Sequence, residues 1–210
     1  MTESIVKHTT TTMAIMVVFS LIGTAWLAYT YNVTKAPIEA SEAAAKMKLF
    51  EQVLPVSEHD NNLLNDFVDI AADGELNNRT ATKAYIARVG GEATAVILEA
   101  TARDGYSGDI KLLMAVHKDG SLGGVRVISH KETPGLGDYI DITHSNWIKS
   151  FDHLSLGTRS NVQWKVKKDG GQFDYMAGAT ITPRAVVKAT HQALTYVEAN
   201  HELFFSEHKK

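Results

Sequence analysis

The heptapeptide Asp174-Tyr175-Met176-Ala177-Gly178-Ala179-Thr180 sets an alcohol beside three of the smallest residues, just ahead of the pair Thr182-Pro183 that opens a helix. Ala177, Gly178 and Ala179 leave room for a bulky group to reach the Thr180 hydroxyl. The free N–H groups and dipole of a helix start favour an anion such as phosphate there. Plain capping by Thr180 and Thr182 is the simpler reading of the same pattern. Two other stretches hold more than turn chemistry needs. Asp104-Gly105-Tyr106-Ser107-Gly108 joins two strands with extra Gly, so its backbone can approach a ligand closely, although an ordinary hairpin loop also fits. In His130-Lys131-Glu132-Thr133-Pro134-Gly135-Leu136-Gly137, turn propensity explains Pro134-Gly135. It does not explain three polar side chains, His130, Glu132 and Thr133, crowded at a strand end.

The elements that must position these residues follow from periodicity. Thr182 and Pro183 read as N-cap and first residue of a closing helix whose Val186, Val187, Ala193, Leu194 and Val197 share one face. From Ala84 onward, AYIARVG, ATAVILEATA, IKLLMAVH and GVRVISH are β-branched apolar runs separated by Gly90-Gly91, Asp104-Gly105 and Asp119-Gly120. They predict a four-stranded antiparallel meander. A helix is expected over Ser145 to Phe151, a further strand over Val162 to Lys167, and short irregular elements with one strand between Ser57 and Thr82. Upstream, the Ala- and Glu-rich segment from Lys35 to Leu54 predicts a helix leading into the domain.

Met13 to Tyr31 carries no charge, and at about 1.5 Å per residue a helix of this length spans a bilayer's hydrocarbon core. Trp26, Tyr29 and Tyr31 at its end are interfacial aromatics, and they stand where a cleaved signal peptide would have small residues. A retained anchor is therefore expected over a signal peptide. Lys7 before the helix and Lys35, Lys46 and Lys48 after it give no direction across the membrane. The predicted fold class is α+β: one transmembrane helix, then an antiparallel sheet with packed helices.

Composition removes several functions. With 21 Lys and Arg against 24 Asp and Glu, no excess cation is available to neutralise phosphates, so nucleic acid is not an expected partner. The absence of Cys excludes disulfides, thiolate catalysis and Cys-ligated clusters. Nine His are scattered without ligand spacing, so no metal site is expected. No G-x-S-x-G elbow supports a hydrolase.

The stretch DYMAGAT resembles the flavinylation motif of the FMN-binding domain family, with Ala177 where that family prefers Ser or Thr. The GYSG loop, the HKETPGLG stretch and the N-terminal anchor are similar in order and spacing. Within the family, the short length and the HKETPGLG wording resemble the G subunits of Rnf-type ion-translocating oxidoreductases more than the longer NqrC subunits of sodium-pumping NADH:quinone reductases. The resemblance implies covalent FMN on Thr180 through a phosphoester, attached by a separate flavin transferase that uses FAD. It also implies a cofactor site of Asp174, Gly178, Ala179 and Thr182 with Tyr106, Gly108, His130, Glu132, Thr133, Pro134, Gly135, Leu136 and Gly137. The loop N–H groups and the Thr133 hydroxyl are expected to meet the flavin, and any positive φ at Gly137 would add backbone strain to a substitution. The implied organisation is a cytoplasmic end at 1–12, a transmembrane helix at 13–31, a linker helix and first part of the extramembrane domain at 32–82, the FMN-binding domain at 83–200 and a C-terminal tail at 201–210, whose charged end His208-Lys209-Lys210 reads as solvated. The implied function is electron transfer within an inner-membrane ion-translocating complex, with other subunits and membrane lipid as partners and the domain in the periplasm. The alternatives are an NqrC-like subunit and a free-standing periplasmic flavin reductase.

Overall fold

A computed structural model describes residues 2–72, 74–157 and 163–206, with side chains from residue 8 onward. It divides into two compact units, Met1–Lys46 and Met47–Lys210.

The first unit belongs to one helix, α1 (Thr2–Phe50), which runs through Pro37 without a break. The sequence suggested an anchor at 13–31 and a further helix from Lys35 to Leu54; Pro37, near the start of the second, removes one hydrogen bond, a cost of about 3 kcal/mol inside a helix. The run Glu39 to Lys48 holds four Ala, two Glu and two Lys, all but Ser41 strong helix formers, and this sustains the helix beyond the proline. Met16, Phe19, Leu21, Ile22, Trp26 and Leu27 are all exposed. The hydroxyls of Thr24, Thr30 and Thr34 donate to the carbonyls of Ser20, Trp26 and Thr30 at 2.8, 3.0 and 2.8 Å, so these polar groups need no water. Among the described residues, α1 is the one helix long and apolar enough to cross a membrane.

The second unit is built on a five-stranded antiparallel sheet in the order β1 (Phe67–Ile70), β2 (Thr82–Val89), β3 (Glu92–Ala102), β4 (Ile110–His117) and β5 (Leu122–Ser129). The four-stranded meander is present, and the one strand expected between Ser57 and Thr82 adds to its edge as β1. Gly90 and Gly91, at φ +60° and +88°, make the tight β2–β3 turn that only glycine adopts readily. Both faces of the sheet are covered. Ile86, Val96, Leu98, Leu112 and Met114 enter the larger core with α2 (Ile181–Ala199), whose Val186, Val187, Ala193, Leu194 and Val197 are buried. Their neighbours Tyr85, Ala87, Ala95, Ile97, Leu113 and Ala115 enter a smaller core with Phe50, Val53, Leu54 and Leu63. Burial on two faces is why the strands read as unbroken apolar runs. The product is the α+β architecture expected.

Four expectations change. The helix over Ser145–Phe151 is a shorter 3₁₀ turn at Trp147–Phe151. Of the strand over Val162–Lys167, Val162 lies outside the described residues, and the rest forms only a bridge from Val166 to Phe173. The alternation that suggested a strand is real, but it serves to bury Trp164 and Val166 against the stacked rings of Phe151 and Phe173. Helix α2 starts at Ile181 with Thr180 as its N-cap, which puts Thr182 and Pro183 inside the first turn, where Pro is tolerated. The expected tail contains α3 (His201–Phe205), and Phe204 and Phe205 are buried in the larger core. His208, Lys209 and Lys210 lie outside the described residues.

Truncating Phe204, which is 1% exposed, removes a full aromatic from this core. Phe204→Ala should destabilise the domain by about 3–5 kcal/mol. Denaturant unfolding of the full chain in detergent, followed by Trp fluorescence, reads the change, and a loss below about 1 kcal/mol would return this segment to the status of a surface tail.

Candidate cofactor cleft

The three Gly-containing stretches meet at a cleft of ≈ 370 Å³. Tyr106 comes from the loop between β3 and β4. Glu132, Thr133, Leu136 and Gly137 come from the loop after β5, and Gly178, Ala179, Thr180, Ile181 and Thr182 from the turn that opens α2. Lys168 and Arg184 complete the lining.

Glu132 joins the three. It is 4% exposed; one oxygen accepts the Ser107 N–H at 3.0 Å, and the other accepts the Thr182 hydroxyl at 2.6 Å. One buried carboxylate thus ties the β3–β4 loop and the first turn of α2 to its own loop. Hydrogen bonds to a charged group contribute about 1.5–3 kcal/mol each, and they cost more to lose when buried. The position also suits the positive end of the α2 dipole.

The turn before α2 is equally determined. Ala179 N–H donates to the Met176 carbonyl at 3.0 Å, closing a β-turn in which Gly178 takes φ +87°, a conformation costly for any residue with a Cβ. Two residues that the sequence reading passed over hold this turn in place. The Tyr139 phenol accepts the Met176 N–H at 3.3 Å, and the Trp147 indole N–H donates to the Asp174 carbonyl at 2.8 Å. Tyr139 and Trp147 pack edge to face, 5.6 Å between centroids. Burial pushes the Tyr139 phenol up to about 12, with the Met176 N–H pulling the other way.

The two threonines at the helix start differ. Thr180, the N-cap, is partly exposed in the cleft and its side chain makes no capping bond. Thr182 is 1% exposed and committed to Glu132. The capping reading therefore fails for both hydroxyls: one is left uncommitted and the other fastens a loop.

Several expected site residues lie outside the cleft lining. His130 accepts the Glu132 N–H at 3.1 Å and so shapes the loop. Pro134 and Gly135 are exposed at the turn, Gly135 with φ +75°, and Gly108 shapes its own loop at φ +120°. The Asp174 carboxylate is exposed and paired with Lys167. The expected role of the loop N–H groups is also revised, because those of Leu136 and Gly137 donate to the Thr133 carbonyl at 3.1 Å each and that of Ser107 goes to Glu132. Gly137 has φ −90°, so no backbone strain attaches to a side chain there. A Cβ would instead stand 2.7 Å from Glu132 Oε2 and 3.0 Å from Thr182 Oγ1, so its requirement for glycine comes from the carboxylate contact.

Lys168 and Arg184 were missed. Arg184 stands one helical turn after Thr180 and grips Asp169 through two bonds of 2.5 and 2.6 Å. That pairing holds the Asp169 carboxyl below the usual carboxylate range and the Arg184 guanidinium above its own. The i,i+4 spacing from Thr180 to Arg184 was a readable signal; nothing in the local pattern marks Lys168.

A cleft at a helix start, lined by Gly-containing turns on an antiparallel sheet and preceded in sequence by one long apolar helix, is consistent with an FMN-binding-domain protein, and comparison with known families shows that class. Residues 105–195 match the FMN-binding domain, and residues 1–53 match the RnfG N-terminal region. A Pseudomonas aeruginosa protein, named as the G subunit of an ion-translocating oxidoreductase complex, is 47% identical over 184 residues, covering 88% of this chain and 86% of its own. Proteins of the same name from Vibrio atlanticus and Vibrio cholerae are 42% and 41% identical, covering 92% and 90% of this chain and the same shares of their own. The chain belongs to the family of these G subunits.

Burial of Tyr139 carries a pH signature. A phenol whose pKa rises on folding favours the folded state below its unfolded value near 10, and that contribution is lost as pH rises from about 10 through about 12. Tyr139→Phe should flatten the loss of thermal stability across this window and lower the melting temperature slightly at neutral pH. Identical alkaline profiles would show that burial of this phenol does not set the loss, and an unchanged melting temperature at neutral pH would show that it does not hold the turn.

Proposed function

We propose that the chain carries FMN on the Thr180 hydroxyl through a phosphoester and serves as an electron-transfer subunit of a membrane-bound ion-translocating oxidoreductase. The observation that carries this reading is the contrast between Thr180, partly exposed in the cleft with no capping bond, and the buried Thr182 beside it. Family membership supports the cofactor, through the FMN-binding domain at 105–195, and the names of the relatives support the complex. Bound FMN supplies electron transfer in one- or two-electron steps.

The chain's own residues fit that group. The small side chains of Ala177, Gly178 and Ala179 clear the approach to Oγ. Lys168, Arg184 and the α2 start offset the phosphate charge. Glu132, Tyr139 and Trp147 hold the loops to which the cofactor is fixed, so little ordering remains when an electron arrives. In the attachment step, Thr180 Oγ forms a bond to the flavin-side phosphorus of FAD, its proton leaves to a base of the transferase, and AMP departs. Asp174, exposed and outside the cleft lining, serves in this reading as a feature the transferase recognises. Residues 1–12 would lie in the cytoplasm, 13–31 in the inner membrane among its lipids, and the domain in the periplasm, where the transferase and other subunits meet it.

Denatured wild-type protein from its native membrane should give a fluorescent flavin band in a gel. Thr180→Ala should lose the band, and Thr182→Ser should keep it. Retention of the band in Thr180→Ala would overturn the assignment.

Topology is tested separately. A reporter fused after Pro55 should be active in the periplasm, and activity confined to the cytoplasm would reverse the orientation.

A further inference from the structure

Glu132 does more than fasten loops. Both of its oxygens are met by neutral donors, the Ser107 N–H and the Thr182 hydroxyl, and it enters no ion pair among the described residues. It lines the cleft, whereas the cations of that cleft, Lys168 and Arg184, come from other segments, and Arg184 is already gripped by Asp169. A fixed charge with little water around it acts through a low effective dielectric. The cleft, taken as a sphere, is roughly 9 Å across, within about one Debye length, so ions in solution do not screen the carboxylate from a group inside.

Reduction of a flavin adds negative charge to it, and charge near the ring is a recognised control on its electronics. We propose that Glu132 is a tuning residue, whose carboxylate holds the reduction potential of a flavin bound in this cleft below the value it would have beside a neutral side chain. Lys168 acts in the opposite direction. The inference rests on Thr180 as the flavin site. No bond of the chain is made or broken: electrons pass from a reduced donor to the flavin, and the carboxylate sets how readily it accepts them.

Glu132→Gln separates charge from fastening, since the amide oxygen can accept the Ser107 N–H and the amide nitrogen can donate to Thr182 Oγ1. The test is a spectroelectrochemical titration of the full chain in detergent, with the intact mass recording FMN on every sample. The midpoint potential of Glu132→Gln should move up and that of Lys168→Gln down. Lys118→Gln should leave it in place, because Lys118 follows β4 at the end opposite the Tyr106 loop. Thr133→Lys adds a cation to the wall that Glu132 occupies without removing either Glu132 hydrogen bond, and it too should raise the potential. A flavin-loaded Glu132→Gln protein at the wild-type potential overturns the proposal, and where that variant does not fold, an unmoved potential in Thr133→Lys does so. A wild-type mass without FMN, or FMN on another residue, overturns the reading of Thr180 itself.

Discussion

Three stretches far apart in sequence become one site because a single buried carboxylate accepts a hydrogen bond from each of two others. Glu132 receives the Ser107 N–H and the Thr182 hydroxyl, and Gly137 has no side chain because that contact occupies the space a Cβ would need. A buried carboxylate is expensive unless its oxygens are satisfied, so the same bonds that justify its burial also fix the loops. The turn before α2 is held independently by Tyr139 and Trp147. The cleft is therefore clamped from two sides, through Thr182 below the helix start and through Met176 and Asp174 ahead of it.

These clamps need a rigid base. β3 and β4 are buried on both faces, so the loop carrying Tyr106 and Ser107 leaves two strands that cannot shift without opening a core. The rings of Phe151, Trp164 and Phe173 tie the 3₁₀ turn to the backbone just ahead of Asp174, and the partner of Tyr139 in the clamp, Trp147, packs on Phe151. The aromatic cluster and the polar clamp are thus one continuous structure. Position at the cleft is inherited from the core.

How much of this was legible follows from the kind of signal each residue leaves. The four strands announced themselves as apolar runs and α2 through periodicity, signals that report burial, whereas the N-terminal helix showed itself as an uncharged apolar run. The three site stretches were visible through surplus Gly at 104–108, polar side chains crowded at a strand end at 130–133, and a hydroxyl beside small residues at 177–180. Tyr139 and Trp147 were not visible, since each sits in a 3₁₀ turn too short for burial to leave a period. The Val162–Lys167 strand was misread for a related reason: alternation records which side chains point inward, and an inward-facing loop segment alternates as a strand does. The two helices expected at 13–31 and from Lys35 to Leu54 are one through Phe50, because Pro37 is a local penalty overridden by the helix formers that follow it. The tail was misjudged because five residues are too few for Phe204 and Phe205 to show a pattern.

The helix start also explains how Thr180 can keep its hydroxyl uncommitted. An N-cap side-chain bond contributes about 1 kcal/mol to a helix, and α2 forgoes it. Glu132 offers a substitute: its charge sits by the same helix end, favoured by the dipole, and its bond to Thr182 ties the first turn down from within. Stabilisation has moved from Thr180 to a residue two positions along. Thr182 is buried by that bond, which leaves Thr180 as the hydroxyl presented to the cleft. The contact that stabilises the helix start is thus also the one that distinguishes two neighbouring alcohols, burying Thr182 while Thr180 lines the cleft.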